Sequence, residues 1–197
     1  MDAALLSALA SFAFSTSITP GPNNLMLMAS GANFGFLRTL PHMLGIGIGF
    51  TLMIVLVGLG LLRVFDAFPV SYTILKAVSI VYLLWLAWKT ATAAGLAEYQ
   101  AQGTPMTFLQ AVAFQWVNPK AWAMALSALV AYAPDQSVAA VFLVALVFGA
   151  INLPSVSVWT VLGQQMARVL TNHRRRVVFN ATMALLLLAS MIPVLWP

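Results

Sequence analysis

The sequence predicts an all-α, polytopic membrane protein: six transmembrane helices, arranged as two inverted three-helix repeats with broken first helices. Three observations carry this expectation. The 197-residue chain is 62% hydrophobic and 7% charged, whereas soluble domains carry about 25% charge. Too little polar surface exists to cover a globule in water, so bilayer is the natural solvent. Six apolar windows approach the roughly 20 residues that a span requires. Two interruptions by proline beside asparagine stand about half the chain apart.

Composition excludes several classes. The net charge of +5 would suit nucleic acid, but the nine basic residues are scattered between apolar runs. Charge placed that way sets membrane orientation, and no nucleic-acid partner is expected. There is no cysteine, which excludes disulfides and thiolate metal sites. His42 and His173 are the only histidines and lie far apart, too few ligands for a metal centre. No metal and no cofactor is expected. Asp2, Asp66, Glu98 and Asp135 are the only acids and fall in loops or at the terminus. An intramembrane enzyme needs positioned acids, bases or metal ligands within its spans, so an enzyme is not expected.

Along the chain, the windows run roughly over 5–29, 39–62, 70–90, 107–132, 138–161 and 177–195. Met1-Asp2-Ala3-Ala4-Leu5 lacks the basic region of a signal peptide, so the first window reads as a retained span. The longest connection, 91–106, holds Gly95, Glu98, Tyr99, Gln100, Gln102, Gly103 and Pro105. The whole of 1–197 reads as a single transmembrane transporter domain with repeat halves of about 1–92 and 104–197.

Arg38, Lys89, Arg168, Arg174, Arg175 and Arg176 lie in or beside the first, third and fifth loops. The second and fourth carry only Arg63. The positive-inside rule then places both termini outside the cytoplasm. The run Asn172-His173-Arg174-Arg175-Arg176 reads as a topology determinant ahead of a lipid site. Trp85, Trp88, Tyr132 and Trp196 suit interfacial anchoring, and Lys76 suits snorkelling. His42 follows Pro41 at a span start and reads as an interfacial histidine, with proton coupling as the alternative. Gly45 and Gly49 form a small-residue pair for close helix packing, on which a homodimer would rest. Gly31 and Gly35 form a second pair across a span end. Asn180-Ala181-Thr182 matches a glycosylation pattern but lies at a span start and is discounted.

The two halves share a plan. Each has three spans and opens on an interrupted one, at Thr19-Pro20-Gly21-Pro22-Asn23-Asn24 and at Asn118-Pro119-Lys120. An odd number of spans inverts a duplicated half, and inverted repeats with discontinuous helices recur in transporters. The second span of each half is also irregular, with Pro41, Gly45, Gly47 and Gly49 in one and Gly149, Asn152 and Pro154 in the other.

Broken helices expose chemistry. Pro20 and Pro22 remove two backbone donors and leave earlier carbonyls unpaired. Gly21 between them can take backbone angles that other residues cannot. In hydrocarbon such backbone survives only where it is buried in protein or lines a cavity. Asn23 or Asn24 is expected to cap the new half-helix, whose N-terminus suits a carboxylate. The freed carbonyls suit an ammonium group or a cation. Carboxylate plus ammonium describes an amino acid. A single proline would read as a packing kink; Pro-Gly-Pro-Asn-Asn frees several groups at once and reads as a site. At the second break, Asn118 is expected at N-cap, Pro119 at N1 and Lys120 in the first turn. Lys120 lies mid-span, about 15–20 Å from either end at 1.5 Å per residue, too far to snorkel. An intramembrane ionisable residue is a candidate functional group. Its expected partners are backbone carbonyls, water or an anionic substrate group. Asn152 and Pro154 would line the same cavity or form a packing kink.

These residues carry a family likeness. Ile18-Thr19-Pro20-Gly21-Pro22-Asn23-Asn24-Leu25, followed by Gly31-Ala32-Asn33-Phe34-Gly35, resembles the N-terminal signature of the LysE/RhtB family of bacterial amino-acid exporters. Trp116-Val117-Asn118-Pro119-Lys120-Ala121 resembles that family's second signature. The resemblance implies a multi-pass antiporter of the bacterial inner membrane. It would export amino acids or close derivatives on the proton-motive force, with a proton as coupling partner. Absence of an intramembrane acid argues for a neutral substrate. The expected site comprises Thr19, Pro20, Gly21, Pro22, Asn23, Asn24, Asn118, Pro119, Lys120 and Asn152. The rivals are a channel or a transporter of another small solute, then an intramembrane enzyme or a scaffold.

Overall fold

Every regular element among the described residues is helical, as hydrocarbon requires of a chain that must satisfy its own backbone. The computed structural model describes residues 3–92, 104–135, 137–190 and 192. In order the helices are α1 (Ala3–Ile18), α2 (Pro22–Leu56), a π-helical turn (Val57–Leu61), α3 (Leu62–Ala67) and α4 (Val70–Thr92). There follow α5 (Phe108–Val117), α6 (Pro119–Tyr132), α7 (Val138–Met166) and α8 (His173–Ala189). Three stretches, Pro22–Ala67, Val70–Thr92 and Val138–Met166, are each long and apolar enough to cross a membrane. The shorter apolar helices α1 and α5 each run up to a proline break. The protein is a helical membrane protein.

Several local expectations are corrected. The connection expected between the first two windows is helical. Only Gly35, at φ 77 and ψ 173, leaves the helical region inside α2. That left-handed φ suits a residue without Cβ. Thr39 Oγ1 donates to the Gly35 carbonyl at 2.8 Å and lies 2.9 Å from Ser30 Oγ, tying the two sides of the kink. Pro41 and Pro154 sit inside continuous helices. The irregularity expected near Pro41 lies instead in the π-helical turn, at Gly60 with φ 112. Asp66 belongs to α3 and not to a loop, and accepts a hydrogen bond from Tyr72 Oη at 2.8 Å. The basic run forms the first turn of α8. Asn172 Oδ1 caps it by accepting from the Arg175 backbone N–H at 2.9 Å. Arg175 and Arg176 donate to the carbonyls of Val169 and Leu170 at 3.1 and 3.0 Å. That contact offsets the repulsion of cations by a helix N-terminus. Of the long polar connection, Gly95, Glu98, Tyr99, Gln100, Gln102 and Gly103 lie outside the described residues, as do Asp2 and Trp196.

Packing centres on α2, which lies along α7 and against α5; α1 also packs on α7, and α4 pairs with α8. Glycines permit the closest approaches. A Cβ on Gly45 would lie 2.5 Å from the Phe108 carbonyl oxygen, and one on Gly49 would lie 2.8 Å from Val112 Cα. This small-residue face is therefore covered by α5 of the same chain and is not free for a second copy. Gly45→Val should overpack the crossing and destabilise the protein by about 1–3 kcal/mol. A lower thermal-unfolding midpoint in detergent checks this, and an unchanged midpoint refutes it. His42 is also not interfacial: it is 2% exposed, and neither ring nitrogen has a partner. Trp85 and Trp88 are exposed, with Lys89 over the Trp85 ring at 5.2 Å. Lys76 is exposed, and Asn180 is buried inside α8.

Candidate functional site

The first break spans three residues. α1 stops at Ile18 and α2 starts at Pro22. Gly21 is the N-cap, extended at φ −174 and ψ 177, with no side-chain cap. Any residue adopts that backbone, so what Gly21 supplies is space. A Cβ there would lie 2.5 Å from Lys120 Cδ and 3.2 Å from its Nζ. Asn23 and Asn24 do not cap α2, contrary to expectation; both lie inside its first turn. Asn24 Nδ2 reaches backwards and donates to the carbonyls of Ser17 at 2.9 Å and Thr19 at 2.7 Å. Trp159 Nε1 donates to the Ile18 carbonyl at 3.0 Å. Carbonyls left open by the break are thus taken up by side chains, as buried acceptors must be.

The second break is one residue long and follows expectation. Asn118, at φ −91 and ψ 107, caps α6 by accepting from the Lys120 backbone N–H at 3.1 Å, and Pro119 occupies N1. Lys120 then spans the gap between the two breaks. Its ammonium donates to the Thr19 carbonyl at 2.6 Å, Thr19 Oγ1 at 2.9 Å and the Pro20 carbonyl at 3.4 Å. Backbone carbonyls, one of the expected partners, are its observed ones. They satisfy a cation that hydrocarbon would otherwise penalise.

A second bridge ties the breaks. Asn23 Nδ2 donates to Gln115 Oε1 at 2.9 Å, and Gln115 Nε2 donates back to Asn23 Oδ1 at 3.2 Å. Gln115 also donates to the Ala111 carbonyl at 2.9 Å and is fully buried. From α7, Asn152 Nδ2 donates to Ser17 Oγ at 3.1 Å, while its Oδ1 is buried without a partner. Gly21, Asn23, Asn24, Asn118, Lys120 and Asn152 line one chamber. Thr19 and Pro20 hold the Lys120 ammonium at its edge. Pro22 and Pro119 start the half-helices without lining the space.

The chamber measures about 20 Å³. A water needs roughly 10–15 Å³, so it holds about one. An amino acid does not fit in this space as it stands. Sequence reasoning missed Gln115, and also Thr16, Ser17, Phe50, Ala121, Met124 and Val156 of the lining. Only Gln115 carried a signal, as an amide at mid-span three residues before Asn118. Among the described residues no group of three or more potential metal ligands occurs.

Polar chambers between broken helices recur in membrane transporters. The LysE type translocator family model matches residues 14–192. The chain belongs to that family of translocators. It is 35% identical over 100 residues to a "Cysteine/O-acetylserine efflux protein" of Salmonella choleraesuis (strain SC-B67), covering 50% of each chain. It is 35% identical over 95 residues to a protein of the same name from Escherichia coli (strain K12), covering 47% of this chain and 48% of that one. The matched region spans about half the length of these curated relatives. No solved structure matches the chain.

Proposed function

We propose that the protein exports neutral amino acids or close derivatives from the cytoplasm by alternating access, as an antiporter driven by the proton-motive force across a bacterial inner membrane. One observation carries the reading: an ammonium group, that of Lys120, sits on the carbonyls of Thr19 and Pro20. The same carbonyls suit the ammonium of an amino acid. On substrate entry, that ammonium replaces Lys120 at Thr19 and Pro20. Lys120 turns to the substrate carboxylate, which also lies near the N-termini of α2 and α6. Asn152 Oδ1, buried without a partner, accepts a further substrate N–H. Asn23, Asn24 and Asn118 hold the breaks in shape around it, with Gly21 leaving room and Pro22 and Pro119 starting each half-helix.

Neutral substrates suit a chamber whose lining holds no carboxylate for a side-chain cation. Cysteine and O-acetylserine, in the names of the relatives, have side chains without charge at neutral pH. Pairing of α2 with α7, and of α4 with α8, supports two inverted halves, since each pair joins elements in equivalent positions. The six spans are then α1 with the start of α2, the rest of α2, α4, α5 with α6, α7, and α8. The distribution of Lys and Arg supports termini outside the cytoplasm.

Purified protein in liposomes is expected to move a labelled neutral amino acid, saturably, under an imposed proton gradient. Absence of flux across a broad amino-acid panel overturns the proposal, and flux without saturation favours a channel.

A further inference from the structure

Beyond the chamber, buried polar side chains of α7 concentrate towards its C-terminus. The buried face of α7 carries Asn152, Ser155, Thr160 and Gly163, with Val156 among them, towards its C-terminus, but Phe148, Ala145, Val144 and Val141 towards its N-terminus. Further buried polar side chains are Ser30, Thr39 and His42 on α2 and Asn180 on α8, whose Oδ1 lies 3.5 Å from Asn33 Nδ2. Among the described residues, six buried polar side-chain atoms lack a partner. Five belong to these three faces: both nitrogens of His42, Thr160 Oγ1, Asn152 Oδ1 and Asn180 Nδ2. Unpaired buried polar groups are costly and demand an explanation. Water reaching them in another conformation would satisfy them.

The α2 and α7 faces are pressed together by a backbone crossing. A Cβ on Gly31 would collide with the Thr160 carbonyl, and a Cβ on Gly163 with the Met28 carbonyl. Only hydrogen fits at either position. Gly35, whose left-handed φ interrupts α2 one turn further on, supplies a joint at which that helix can swing. Beyond the crossing come the cations, Arg38 on α2, Arg168 after α7 and Arg174 to Arg176 on α8.

We propose that the face formed by Asn152, Ser155 and Thr160 of α7 with Ser30, Thr39 and His42 of α2 and Asn180 of α8 is the substrate path between the chamber and the basic end, closed here by the Gly31–Gly163 crossing. The inference rests on the transport reading and deepens it. The path takes a zwitterion: hydroxyls, amides and one imidazole replace water without offering a fixed charge. α5 and α7 carry no charged side chain, α6 carries only Lys120, and those of α8 stand in its first turn. The cations beyond it draw in the carboxylate end.

The chain contains no cysteine, so single substitutions report alone. Thr160→Cys and Asn180→Cys are to be labelled in sealed vesicles with a charged, membrane-impermeant thiosulfonate. Arg175→Cys marks the basic side and the outward-facing Val158→Cys is the lipid control. Labelling of Thr160→Cys from the basic side alone, at least tenfold faster than Val158→Cys, is expected. Gly163→Ala added to Thr160→Cys should wedge the crossing and raise that rate several-fold. In vesicles that transport normally, labelling from the opposite side only, or no faster than the lipid control, overturns the path. If Gly163→Ala fails to insert, the Thr160→Cys and Asn180→Cys rates decide alone. Missing flux in the parent protein would sink the transport reading instead, which labelling cannot do.

Discussion

Lys120→Ala is expected to abolish amino-acid flux while leaving the protein inserted and monodisperse. The ammonium reaches across 101 residues of sequence to hydroxyl and carbonyl oxygens of Thr19 and the carbonyl of Pro20. Removing it takes away the group proposed to meet the substrate carboxylate. Hydrogen bonds to charged groups contribute about 1.5–3 kcal/mol each. Losing two weakens substrate binding by more than about 100-fold. Insertion should not suffer, because a mid-span lysine opposes insertion by roughly 2.5–3.5 kcal/mol. Lys120→Arg should rescue little, since Gly21 leaves room beside the Lys120 stem but a planar guanidinium is wider than an ammonium. Tracer flux in liposomes, beside gel filtration of each variant, makes the measurement. Normal flux in Lys120→Ala removes the residue from the site.

Gln115→Leu should separate the two breaks. The exchange of hydrogen bonds between Gln115 and Asn23, 92 positions apart, joins α5 to the first turn of α2. Leucine there leaves the Asn23 amide with an unpaired donor and acceptor, which costs about 1–3 kcal/mol. The thermal midpoint in detergent should fall by several degrees. Adding Asn23→Leu should recover much of that loss, because removing both partners is milder than removing one. Flux should stay low in the double variant, since Asn23 lines the chamber. A single variant with unchanged midpoint and flux would deny the pair both roles.

The breaks were legible because their causes are local. Pro20, Pro22 and Pro119 lack donors wherever they stand, and Asn118 caps α6 through a neighbour two residues on. Lys120 was legible as an odd charge, and carbonyls were among the partners expected for it. Asn24 was misjudged for the same reason that Asn118 was not. Its amide turns back to Ser17 and Thr19, a choice decided by where the preceding helix ends in space. Gln115 shows no local signal of its partner. His42 looks interfacial by position, yet helix packing buries it. Gly31 and Gly35 look alike in sequence, while only Gly35 bends the chain and only Gly31 has another backbone against it.

By itself, then, the sequence determined the solvent, the helical class and the two places where helices break. Each follows from hydropathy or from the covalent chemistry of proline, which no fold can change. Tertiary structure alone decided what fills the breaks and what packs beside them. The Lys120 ammonium on Thr19 and Pro20, the Asn23–Gln115 exchange and the Gly31–Gly163 crossing all join distant segments. Their energies depend on distances of a few ångströms that only packing sets.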